Sequence, residues 1–285
     1  MTGPRAFPAE TILLVNGVNL CVQTFGDPAD PAILLIAGAA SSMLWWDAAF
    51  CARLVAGPRF VIRYDLRDTG RSVTYEPGTP PYAAHDLAAD ALGLLDALGL
   101  AHAHLVGISM GGGLAQRLAR THPDRVATLT LIATSPGGPG LSPMSEDFLA
   151  SASAPAPDWS DRDAAIDYLV DQFRLYAGHS RPFAADAMRD LAARDYDRTR
   201  NIASAMTNHY AMPSSEPSLG APATAPPLAL VIHGTEDPLF ALDHAHALAR
   251  KYPGAQLVVL DGVGHELPPD TWDVAADAIL RHTSA

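Results

Sequence analysis

The apolar run Leu105 to Ile108 stops at Ser109, and the stretch from His104 to Gly113, HLVGISMGGG, constrains the fold of this chain more than any other. Ser109 sits in Gly107-Ile108-Ser109-Met110-Gly111, a G-x-S-x-G pattern between a strand-like run and a helix-like segment. A serine presented at the tip of so sharp a turn adopts a strained backbone that crowds the residues two before and two after it, so both must be very small. A glycine-rich strand-to-helix turn without chemistry reads the same way locally. The order of the surrounding elements has to decide.

Over most of the chain, short runs rich in aliphatic and β-branched residues alternate with helical spacing, the pattern of a mostly parallel sheet with helices on both faces. Ile12 to Val15 and Val18 to Thr24 read as strands joined by a tight turn at Asn16-Gly17, an antiparallel start. Further strands are expected at Ala32 to Ala37, Phe60 to Tyr64, Ala103 to Ile108 and Val126 to Ala133. Helices are expected at Met43 to Val55, His85 to Leu98 and Met110 to Thr121, the last closed by His122-Pro123 because proline cannot continue a helix. From about Pro136 to Pro217 the alternation stops. That interval holds a Pro/Gly opening, the Ser/Ala/Pro stretch Ser151 to Pro157, and helical patterns around Asp161 to Tyr176 and Pro182 to Arg194. The sheet resumes at Leu228 to Ile232, followed by a helix Leu242 to Lys251, a strand Gln256 to Leu260 and a helix Trp272 to His282. We therefore expect a core in two parts, 1–135 and 218–285, with a helical cap inserted at 136–217.

With 285 residues, 48% hydrophobic and 18% charged, the chain can bury a full core of this kind. A formal charge of -12, with Lys251 the single lysine, argues against a nucleic-acid partner, since phosphate binding needs clustered Lys and Arg. No apolar run approaches the roughly 18 to 20 residues of a membrane span. The first residues lack the charged start and apolar stretch of a secretion signal, so a soluble, cytoplasmic protein is expected, with no membrane partner. Cys21 and Cys51 make neither a disulfide framework nor a metal motif and read as buried free thiols. No zinc or P-loop motif is present, and His244 and His246, two apart on a helix, face different ways. The expectation is no metal and no cofactor.

A serine hydroxyl becomes a competent nucleophile when a neutral histidine takes its proton, and an acid must orient that histidine. Two loops just past strand ends supply such groups: His233-Gly234-Thr235-Glu236-Asp237-Pro238 and Asp261-Gly262-Val263-Gly264-His265. Glu236 and Asp261 are rival acids. No carboxylate lies at the end of the strand Val126 to Ala133.

With Ser109, Asp237 and His265 in that order, nearly the whole chain resembles the α/β-hydrolase superfamily. The resemblance implies the α/β-hydrolase fold, Ser109 as nucleophile, Asp237 as acid (in register with Gly234 and Pro238) and His265 as general base. It also implies oxyanion donors from the Met110 N–H and, by position, the Ala39 N–H, where Ala37-Gly38-Ala39 stands in place of the usual His-Gly. Arg63 to Ser72 resembles the family's D-x-R-G-x-G-x-S stretch, with Asp68 where glycine is commoner, and reads as a turn held by charged pairing. Together with Gly26-Asp27-Pro28-Ala29-Asp30-Pro31, these features are most similar to the branch containing aclacinomycin methylesterase, whose members hydrolyse a methyl ester on a bulky aromatic polyketide. Trp45 is the candidate pocket-lining residue beside Trp46, with further lining among Trp159, Phe173, Tyr176 and Tyr210. The expected reaction is cofactor-free hydrolysis of an ester or lactone, with water as co-substrate. The same three residues also suit C–C bond hydrolysis, acyl transfer or cofactor-free peroxidation, and a ligand-binding protein on the same scaffold is a further alternative.

Overall fold

In the computed structural model, which describes residues 8–151, 155–213 and 227–284, the aliphatic runs assemble into one sheet. The chain order is β1 (Thr11–Val15), β2 (Val18–Phe25), β3 (Ala32–Ile36), α1 (Ala48–Val55), β4 (Phe60–Tyr64), α2 (Ala84–Ala97), β5 (Ala103–Ile108), α3 (Met110–Thr121) and β6 (Val126–Ile132). It continues through α4 (Glu146–Ser151), α5 (Arg162–Tyr176), α6 (Ala185–Arg198), α7 (Ile202–Ala211), β7 (Ala229–Gly234), α8 (Leu242–Lys251), β8 (Gln256–Leu260) and α9 (Trp272–His282). The strands lie side by side in the order β1-β2-β4-β3-β5-β6-β7-β8. Pairing is antiparallel between β1 and β2 and between β2 and β4, and parallel elsewhere.

Strands β3 and β4 are buried on both faces, as a central parallel strand must be when helices cover each side. Phe50, Cys51 and Leu54 of α1 pack with Ala275 and Ile279 of α9 against one face. Leu87 and Leu94 of α2, Leu114 and Leu118 of α3 and Leu248 of α8 pack against the other. From β3 the chain goes to β4 on one side, then crosses to β5 on the other. The carboxyl ends of β3 and β5 thus flank a topological switch point, where doubly wound sheets leave a crevice.

The expected helix Met43 to Val55 divides in two. A 3-10 turn, Met43–Trp45, is followed by α1, because Asp47 accepts the Ala49 N–H at 2.7 Å and starts a new helix. The second interior helix begins at Ala185 and runs to Arg198, later than the spacing suggests, and α4 and α7 escaped the sequence reading altogether. Strand β7 extends to Gly234, so His233 lies within the strand. Between β6 and β7, Ile166, Leu169, Val170, Ala192, Ile202 and Ala205 form a small apolar cluster of their own. The boundary expected at 217–218 and part of the Ser151 to Pro157 stretch lie outside the described residues.

Candidate active site

Ser109 has φ +53° and ψ -119°, a region that residues with a Cβ enter at a cost. The glycines around it make room. A Cβ on Gly107 would collide with the Gly111 carbonyl, and one on Gly111 with the carbonyls of Ile36 and Ala37. The Ser109 N–H donates to the Ile132 carbonyl at 3.0 Å, and Thr134 Oγ1 donates to the Ser109 carbonyl at 2.8 Å, so β6 and its following loop hold the turn from behind.

His265 Nε2 is 2.8 Å from Ser109 Oγ, and His265 Nδ1 is 2.8 Å from Asp237 Oδ2. The three groups meet from loops after β5, β7 and β8, across chain separations of 156 and 28 residues. Asp237 Oδ1 accepts the N–H groups of Leu239 and Phe240, each at 2.9 Å. Burial alone would raise this carboxyl, but the hydrogen bond and charge of His265, aided by the Phe240 N–H, hold it below its ordinary value. His233 on β7 lies against the same loop, its Nε2 donating to the Phe240 carbonyl at 2.7 Å; burial drives its imidazole toward the neutral form. The His265 N–H donates to the Tyr176 carbonyl at the end of α5, at 2.7 Å. Proton transfer from Ser109 Oγ to His265 Nε2, with Asp237 accepting from Nδ1, needs no rearrangement of this geometry.

The rival acids point elsewhere. Glu236 Oε2 accepts the Ser180 N–H at 3.0 Å and lies 3.1 Å from His179 Nδ1, while Asp261 Oδ1 is 3.4 Å from Thr235 Oγ1. The loop after β3 reaches the serine: a Cβ on Gly38 would lie 3.4 Å from Ser109 Cβ. Among the described residues, no hydrogen bond takes up the N–H of Ala39 or of Met110.

Aromatic rings extend outward from His265. Tyr176 and Phe240 lie 5.7 and 5.5 Å from its ring, Tyr176 contacts Phe148 at 5.5 Å and Phe173 at 5.6 Å, and Phe173 stacks on Trp45 at 3.7 Å. Trp45 is pinned by its Nε1–H, which donates to the buried Asp195 at 2.8 Å. Trp46 belongs to the sheet-face core and Trp159 to the α5–α7 cluster. Tyr210 is 62% exposed. Sequence reasoning missed Phe148 and Phe240; only Phe240 carried a signal, being three residues after Asp237. Asp68, at φ +66°, accepts from Tyr82 OH at 2.6 Å, the Tyr75 N–H at 2.6 Å and Asn208 Nδ2 at 2.9 Å. The charged pairing in that turn is made by Arg67 with Asp90 at 2.6 Å, Asp65 with Arg198 at 2.7 Å and Arg71 with Glu10 at 3.0 Å.

Comparison with known proteins bears on this arrangement. The profile of the α/β-hydrolase fold family matches residues 31–270. Rhodomycin D methylesterase of Streptomyces peucetius is 36% identical, over 94% of this chain and 96% of that protein. The 2-hydroxymuconate semialdehyde hydrolase of Pseudomonas putida is 31% identical, over 73% of this chain and 70% of that protein. Among solved structures, 2-hydroxy-6-oxo-6-phenylhexa-2,4-dienoate hydrolase from a Rhodococcus strain superposes with a TM-score of 0.76 at 23% identity, covering 97% of this chain and 99% of that one.

Proposed function

The chain belongs to the α/β-hydrolase family and has its fold, and from that premise we propose that it is a serine esterase for a methyl ester or lactone on a bulky, largely apolar aromatic molecule. The observation that carries the reading is the pair of 2.8 Å contacts linking Ser109 Oγ, His265 and Asp237. His265 Nε2 takes the Ser109 proton as Oγ attacks the ester carbonyl, and the N–H groups of Met110 and Ala39 hold the oxyanion. The protonated Nε2 then gives its proton to the departing alcohol, leaving an acyl-Ser109. Water, deprotonated by the same nitrogen, releases the acid. Asp237 stays ionised throughout and stabilises the imidazolium. No step calls for a metal or cofactor.

We take residues 136–217 as the cap over this site, and the ring series Trp45, Phe173, Tyr176, Phe148 and Phe240 as the wall that receives the substrate. Such a wall suits a polycyclic aromatic better than a short aliphatic ester. The full-length similarity to rhodomycin D methylesterase supports the same class. A cytoplasmic setting belongs to this reading and is supported by two buried free cysteines. The similarity to 2-hydroxymuconate semialdehyde hydrolase favours one second reading, in which the same serine and histidine cleave a C–C bond beside a carbonyl.

A mass-spectrometric screen of wild type and Ser109→Ala against aromatic polyketide methyl esters, lactones and vinylogous 1,5-diketones separates these. Release of methanol from the esters by wild type alone is expected. Turnover confined to the diketones would transfer the assignment to C–C hydrolysis. A fluorophosphonate should label Ser109, and a folded protein that resists labelling and turns over nothing would sink the serine mechanism.

A further inference from the structure

Residues Ala37 to Ala40, which carry the proposed second oxyanion donor, have no side chain able to hydrogen-bond. The loop is nevertheless sharply bent. Ala40 sits at φ +58°, where a residue with a Cβ is strained against the following carbonyl. Its N–H donates to His209 Nδ1 at 3.0 Å, and the other ring nitrogen, Nε2, lies 2.9 Å from the Arg67 carbonyl oxygen. These partners settle the tautomer, because an amide N–H only donates and a carbonyl only accepts. Nε2 therefore carries the proton and Nδ1 is bare.

His209 comes from α7, in the segment between β6 and β7, and is 5% exposed. Burial pushes its imidazole down to about 4 against the opposing pull of the Arg67 carbonyl and the Asp68 charge. The charged and titratable groups around it are already engaged: Asp68 with Tyr82 and Asn208, and the Arg67 guanidinium with Asp90. Tyr82 presents its ring edgewise at 6.4 Å.

We propose that His209 is a positioning residue for the oxyanion hole, its Nδ1 fixing the Ala40 peptide, and hence the adjoining Ala39 N–H, while Nε2–H ties that loop to the Arg67 turn. The inference rests on the serine-hydrolase reading above. It has a mechanical consequence: the electrophilic half of the site depends on the seating of α7, and a displaced α7 would disarm the hole without moving Ser109, His265 or Asp237.

Variants can separate the two bonds of the ring. His209→Asn puts an amide oxygen near the Nδ1 position and keeps the acceptor for Ala40. His209→Gln puts an amide nitrogen near Nε2 and keeps the donor to Arg67, and His209→Phe keeps ring volume and neither bond. The readouts are kcat and KM for p-nitrophenyl butyrate, and the Ki of a boronic acid that forms a tetrahedral adduct on serine. The Gln and Phe variants should lose about tenfold or more in kcat with KM within about twofold, and bind the boronic acid correspondingly more weakly. The Asn variant should recover at least about fivefold of the Gln variant's loss. Equal kcat in the Asn and Gln variants, or losses confined to KM and melting temperature, would overturn the proposal. A wild type that neither turns over the ester nor is labelled at Ser109 by a fluorophosphonate would overturn the underlying reading, and this inference with it.

Discussion

Ser109 concentrates the cost of the fold in one backbone. At φ +53° it is held by the sheet behind it and by helix α3 in front, with a strain of order 1 to 3 kcal/mol. Replacement by alanine removes the hydroxyl and keeps the strain, whereas glycine removes both and adds about 0.5 to 1 kcal/mol of unfolded-state entropy. Strain relief outweighs that entropy. Ser109→Gly should therefore be more stable than Ser109→Ala by about 1 kcal/mol in urea unfolding, with both inactive. A glycine variant weaker than the alanine variant would mean that the backbone at 109 carries no such strain. Ser109 and its glycines were legible in the sequence because the constraint is local: residues two apart must be small. The loops that carry Asp237 and His265 were legible because they follow strands that periodicity reveals, whereas the choice of Asp237 over Glu236 and Asp261 came only with the family resemblance. His209 was not, since its partners, the Ala40 N–H and the Arg67 carbonyl, are backbone groups 169 and 142 residues away. No side-chain pattern announces a bond of that kind.

At the scale of elements, long amphipathic helices and central strands were readable, and short or polar elements were not. Asp47 begins a helix inside an apolar run, where the hydrophobic spacing continues across the break and hides it. Helix α7 buries Ser204, Asn208 and His209 along with Ile202 and Ala205, so its inward face reads as polar. That face docks on the turn around Asp68. Glycine at 68 would relieve about 1 to 2 kcal/mol of left-handed strain. It would also strip the acceptor from Tyr82 OH, the Tyr75 N–H and Asn208 Nδ2, and a buried donor left without a partner costs about 1 to 3 kcal/mol. Lost bonds outweigh relieved strain. Asp68→Gly is expected to destabilise the protein by about 2 kcal/mol, and Asp68→Ala, which keeps the strain, by about 1 kcal/mol more. Chemical unfolding of the two variants checks the order, and a glycine variant as stable as wild type would show that α7 does not depend on this carboxylate.

Across the whole molecule, the segment between β6 and β7 is tied to the rest of the chain by a set of polar bonds beside the stacking of Phe173 on Trp45. Arg198 reaches Asp65 at 2.7 Å and Glu10 at 2.8 Å, Trp45 reaches Asp195, Asn208 reaches Asp68, and Ser204 Oγ donates to the Tyr75 carbonyl at 2.5 Å. Hydrophobic spacing reports the face an element buries, not its partner across a polar seam, so this junction could not be read from sequence. A polar seam responds to pH, and its groups pull in different directions. Burial would raise Glu10, but Arg198 and Arg71 hold it below its ordinary value, so its stabilisation is present above its unfolded pKa and is lost as pH falls through its folded one. Burial raises Asp65 and Asp195 despite their hydrogen bonds, so these carboxyls favour the folded state as pH falls through their raised values. His209 has the clearest window. Its folded value of about 4 lies below the 6.5 of an ordinary histidine, so between the two the unfolded chain binds a proton that the folded chain refuses. Stability from this group is complete above the upper value, falls on acidification, and levels off below the lower one. Opposing carboxyls blur the total, but subtraction isolates the imidazole. In urea unfolding from pH 7 to 4.5, wild type should lose stability more steeply than His209→Asn by up to about 1.4 kcal/mol per pH unit near pH 5, the slope of one proton. Parallel curves would mean that His209 is protonated in the folded state, and a protonated ring has no acceptor to offer the Ala40 N–H.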